Sequence, residues 1–164
     1  IVIMEMDSKG HCKIVFVDAR DNMKITESAR WIAHIDERYH FKQVYVDNQG
    51  LGEGVMDLLR EDLGKNRISG LNNSSKSVND GEDHEERRRR ILKEDLYSNA
   101  LKMMELKEIE LKADMKMQKS LRCMQFEYTK DRNLTIFGNY SHICEAFVRA
   151  CWAKREKRLK SFLY

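Results

Sequence analysis

The chain has 164 residues, 30 Lys plus Arg against 27 Asp plus Glu, and a net charge of +3. That is the length of one domain, with too mild a charge to define a partner by itself. It is 35% charged and 41% hydrophobic and contains no proline, so a proline-rich linker is excluded. No apolar run approaches the ~18 residues of a membrane span, and the chain reads as soluble, without a membrane role.

Residues 1–6 are apolar but too short for a signal-peptide core. Asp7-Ser8-Lys9-Gly10 has turn chemistry, and residues 13–18 are rich in β-formers, so the two runs predict a hairpin. Residues 23–25 read as an extension of the second strand. Thr26 reads as the cap of a helix with Glu27 in its first turn and Trp31, Ile32 and Ile35 on its apolar face. Val44-Tyr45-Val46-Asp47 is the clearest strand. It runs into Gly50, Gly52 and Gly54, and then into a helix carrying Val55, Met56, Leu58 and Leu59 that stops near Gly64. Residues 68–71 form a short strand, and the polar run 72–83 reads as an exposed loop. Residues 85–105 are helical and 109–111 extended. Asp114 caps a short helix containing Met117 and Leu121. Met124, Phe126 and Tyr128 alternate with polar residues as one strand, and residues 134–137 return as its hairpin partner. Ser141 caps a final helix running to about Lys157.

Several groups can carry chemistry. Asp47, at the end of an apolar strand, suits a hard divalent cation or a turn before a glycine loop. The loop Gly50-Leu51-Gly52-Glu53-Gly54 is not a Walker A motif. Its glycines admit a phosphate or make a tight turn. His142 and Glu145 share a face of the last helix, as metal ligands or as capping and surface groups. Arg87, Arg88, Arg89 and Arg90 form one basic block. A second runs from Lys154 and Arg155 to Lys160, five basic residues against Glu156. Both suit a phosphate backbone or a solvated helix face. Arg149, Trp152 and Arg155 at spacings of three suggest an Arg-lined face toward nucleic acid, or a core anchored by Trp152. Cys12, Cys123, Cys144 and Cys151 form no C-x-x-C pair and read as reduced core thiols of a cytoplasmic protein.

The order of these pieces resembles the nuclease domain of viral large terminase subunits. The match rests on the block from Val44-Tyr45-Val46-Asp47 through Gly50, Gly52, Gly54 and Asp57 to Leu59. Leu96-Tyr97-Ser98, Ile109-Glu110-Leu111 and the start of the last helix at Ser141-His142 support it. The run from Arg149 to Lys154 looks like versions from archaeal viruses or proviruses.

The resemblance implies an α/β, ribonuclease H-like mixed sheet flanked by helices, over residues 1–164 as one domain. It implies an endonuclease that cuts double-stranded viral DNA during genome packaging in the host cytoplasm. Two Mg²⁺ or Mn²⁺ ions would serve the reaction. Portal protein and the small terminase subunit are the implied further partners. Asp47 matches the family's second acid. Glu145 stands in for the third, with His142 beside it as a metal ligand. The first acid belongs to a strand expected before Ile1, so the chain reads as N-terminally incomplete. Otherwise residues 1–6 are that strand, and Glu5 or Asp7 is the acid. The alternatives are a catalytically impaired nuclease-fold remnant that binds DNA or portal, and another ribonuclease H-like enzyme such as a junction resolvase.

Overall fold

Asp7 closes the first hairpin. Its Oδ1 accepts the N–H groups of Lys9 at 2.9 Å and His11 at 2.8 Å, and Gly10 donates its N–H to the Asp7 carbonyl. The turn sets strand β1 (Val2–Met6) antiparallel to β2 (Cys12–Val17), with a register shift after Ile3. The computed structural model describes residues 1–72, 92–128 and 134–161. The expected polar loop beyond Asn72, the start of the following helix and the block Arg87, Arg88, Arg89 and Arg90 lie outside the described residues. The chain divides into two units, Ile1–Ala19 with Glu94–Tyr164, and Arg20–Lys93.

In the first unit, β2 also pairs in parallel with β5 (Ile109–Glu110), giving the order β1-β2-β5. Helix α3 (Leu92–Glu105) precedes β5, and α4 (Met115–Arg122) follows it. Asp114 caps α4 as the sequence predicts, its Oδ1 accepting the Met117 N–H at 2.8 Å. Strands β6 (Gln125–Tyr128) and β7 (Leu134–Phe137) pair antiparallel, and α5 (His142–Ser161) ends the described chain. Helix α5 lies against β1 and α4. Ile14, Leu96, Met117, Phe147 and Val148 are fully buried, as are Cys12 and Cys151. All four cysteines are free thiols.

The second unit holds α1 (Ile25–Tyr39), β3 (Val44–Val46), α2 (Gly52–Leu63) and β4 (Ile68–Gly70). Residues 23–25 do not extend a strand. Glu27 reaches back to accept the Lys24 N–H at 3.0 Å, so the helix starts at Ile25 and Thr26 lies inside its first turn. Strands β3 and β4 pair in parallel, Val44 opposite Ile68 and Val46 opposite Gly70. Two parallel strands need a crossover, and α2 is that crossover. Its Met56 and Leu59 pack with Ala29 of α1 and Ile68 of β4 in one buried cluster. The ion pair of Arg67 with the buried Asp36 ties the approach to β4 onto α1. The elements of a mixed α/β fold are therefore present. Among the described residues the strands form a three-stranded mixed sheet, a parallel pair and a hairpin.

Candidate active site

Asp47 follows the last residue of β3, so pairing with β4 holds it at the carboxyl end of the parallel pair. Its Oδ1 accepts the Gln49 N–H at 3.2 Å and turns the chain toward α2. The loop passes so close that a Cβ on Gly52 would lie 1.7 Å from the Asp47 carbonyl oxygen. Of the two readings of the glycine loop, Gly52 serves the tight turn: what it approaches is the acid's own backbone.

Asn48 lies over the end of β4, where a Cβ on Gly70 would come within 2.8 Å of its Cγ. Its Oδ1 is buried and has no hydrogen-bond partner among the described residues. Such an orphaned acceptor costs about 1–3 kcal/mol, and it belongs to the residue next to a carboxylate. Oxygen donors are what a hard divalent cation takes, and Asp47 is the carboxylate that this strand end could contribute to one. Among the described residues no three His, Cys, Asp or Glu side chains cluster to hold a metal ion.

Glu145, in the first turn of α5, accepts hydrogen bonds from Tyr97 and Arg149. Its Oε1 accepts the Tyr97 hydroxyl at 2.9 Å, and its Oε2 accepts Nη1 of Arg149 at 2.8 Å. The same Nη1 donates to the Glu145 carbonyl at 2.9 Å. Burial first, then the neighbouring Cys144 and Glu145, push the Tyr97 phenol well up, so it remains a donor through the neutral range. His142 stands exposed at the start of the helix. Sequence reasoning missed the role of Tyr97 and Arg149. The four-residue spacing of Glu145 and Arg149 was the available signal. Tyr97 comes from another helix and left none.

Arg149, Lys154 and Arg155 of α5 are described, while the side chains of residues 156–160, the rest of the expected basic block, lie outside the description. Arg149 is only 3% exposed, so it faces the Glu145 carboxylate and not a nucleic acid. Lys154 is buried, and its Nζ donates to Glu108 at 2.8 Å. It is a core ion pair and not a solvated phosphate contact. Arg155 lies over the Trp152 ring at 4.5 Å and 3.7 Å from Asp95. Of the candidate first acids, Asp7 is occupied in the hairpin turn, and Glu5 sits opposite Lys13 on the neighbouring strand.

No protein-family model matches the chain, and no curated protein is similar to it. Solved structures are. The large terminase nuclease from thermophilic phage G20c superposes with a TM-score of 0.68 at 17% identity, over 91% of this chain and 72% of that one. The same nuclease with bound magnesium gives 0.66 at 17% identity, over 92% and 72%. With bound cobalt it gives 0.64 at 15% identity, over 92% and 79%. The fold is thus that of phage large terminase nuclease domains.

Proposed function

We propose that the chain is a metal-dependent endonuclease domain of terminase type, cutting double-stranded viral DNA during genome packaging. The observation that carries the reading is Asp47, held at the carboxyl end of β3 by strand pairing and the Gln49 N–H, in a fold shared with terminase nucleases. Crystals of those nucleases hold magnesium or cobalt, which supports a divalent ion here. Mg²⁺ or Mn²⁺, as two ions, would polarise the scissile phosphate and lower the pKa of a bound water. The chain's own part is to hold Asp47 rigidly, through strand pairing and the Gln49 N–H, so that its carboxylate needs no reordering on binding. Glu145 is the second proposed acid. Its position in the first turn of α5, with Tyr97 and Arg149 orienting the carboxylate, supports that role. His142, exposed one turn earlier, is the proposed further ligand. In this reading the other partners are portal protein and the small terminase subunit, met in the host cytoplasm.

The test is cleavage of supercoiled plasmid with Mg²⁺ or Mn²⁺. A version extended upstream of Ile1 to include the expected first strand should nick the plasmid, and Asp47→Ala in it should abolish nicking. Full activity in Asp47→Ala would remove the assigned ligand. No cutting with either ion would overturn the reading in favour of a DNA-binding nuclease-fold module.

A further inference from the structure

The surface built by α4 and the hairpin that follows it has a composition the nuclease reading does not use. Phe126 and Tyr128 are 70% and 69% exposed, and their rings meet edge to face at 6.4 Å. Two residues apart on one strand, they project to the same side. Rings of this size normally bury 150–250 Å² each, so two left in water on a two-stranded hairpin call for an occupant. The helix before this strand, α4, carries Lys116, Lys119 and Arg122, all exposed and three residues apart, and contains no acid. Lys119 places its ammonium 3.8 Å from the ring centroid of Tyr140, which is itself 56% exposed.

The patch is fixed to its unit. The Ser120 hydroxyl donates to the Tyr140 carbonyl and accepts the Cys144 N–H at 2.9 Å, so one side chain binds α4 to the start of α5. Exposed rings on β6 and, on α4, cations with no acidic partner among the described residues suit a polyanion that also offers flat π surfaces. Paired bases in a duplex hide those surfaces, and unstacked bases present them. Protein interfaces, by contrast, are depleted in lysine.

We infer that this face binds single-stranded DNA, the bases stacking on Phe126 and Tyr128 and the phosphates running along Lys116, Lys119 and Arg122. The choice of DNA as the nucleic acid rests on the nuclease reading; the stacking itself does not. On a nuclease, such a face would hold the frayed strand at a DNA end.

The experiment is fluorescence anisotropy of the whole chain with labelled oligothymidylate and with a duplex of equal length, in EDTA so that nothing is cut. Phe126→Ala/Tyr128→Ala is expected to weaken oligothymidylate binding by about tenfold or more and duplex binding by less than about twofold. Phe126→Leu/Tyr128→Leu, which keeps apolar strand residues but no rings, is expected to do the same. Lys119→Ala/Arg122→Ala is expected to weaken binding and flatten its salt dependence. Undiminished oligothymidylate binding by both aromatic variants would overturn the inference. So would wild type that ignores oligothymidylate, or aromatic variants whose only effect is to abolish self-association in sedimentation, which would make the patch a protein interface. Plasmid cleavage that fails while oligothymidylate binding holds would sink the nuclease reading and leave this surface standing.

Discussion

A methyl group on Gly52 has nowhere to go, because its nearest neighbour at 1.7 Å is the Asp47 carbonyl oxygen and not a side chain that could swing away. Gly52→Ala must therefore displace the end of β3. The expected outcome is loss of plasmid cleavage about as complete as in Asp47→Ala, with the circular dichroism spectrum retained. Cleavage at the wild-type rate would show that the position of Asp47 does not matter. Arg149 makes a second single-residue argument. Replacing it by Met removes one ion-pair partner of the mostly buried Glu145 carboxylate, at an expected cost of about 3 kcal/mol in urea unfolding. Gln at 145 restores a neutral acceptor, so Glu145→Gln/Arg149→Met should recover part of that loss. If Arg149→Met is as stable as wild type, the pair contributes nothing to the fold.

Helices and strands here are held together by a few shared groups. The Ser120 hydroxyl satisfies both the Tyr140 carbonyl and the Cys144 N–H, and its residue is buried. Ser120→Ala orphans both, and about 1–3 kcal/mol of destabilisation is expected by urea titration. A change below about 0.5 kcal/mol would mean that water replaces the hydroxyl. These joints also mark where sequence reading stops. The Asp114 cap, the β1–β2 turn and the strand ending at Asp47 were legible because each is set by residues within a few positions of one another. The Thr26 cap was not, because Glu27 competes for the helix start by reaching back to Lys24. The period-two pattern of β6 identified a strand, but all four of its residues are exposed. A period says which side chains share a face, not whether anything covers it. Lys154 looked like surface charge because Glu108, its partner, lies far away in sequence.

Across the whole chain, proton release should govern alkaline stability. Burial first, then the nearby Cys12 and Cys144, push the Cys151 thiol above its ordinary value of 9.0, and the Tyr97 phenol lies above 10.0. Each group keeps its proton better folded than unfolded. Their contribution is therefore fully present below about pH 9, and it is lost as pH rises past the unfolded values. The urea midpoint should fall from about pH 9 upward, and less steeply in Cys151→Ser. Equal slopes in the two proteins would place the alkaline loss elsewhere. The slope is the readout, because the serine also alters packing.

The strand pairing has a consequence for how the protein behaves in a crowded solution. Among the described residues, β2 alone is bonded to a strand on both sides, so β1, β3, β4, β5, β6 and β7 each present an edge. Open edges are templates on which another chain can extend a sheet. Charge at two of those edges opposes this: Glu5 stands on β1, and Glu110, paired with Lys13, stands on β5. A composition that is 35% charged, uninformative about a partner at +3 net, acts as the protein's guard against aggregation. Neutralising even a few of these side chains would cost solubility before it cost the fold.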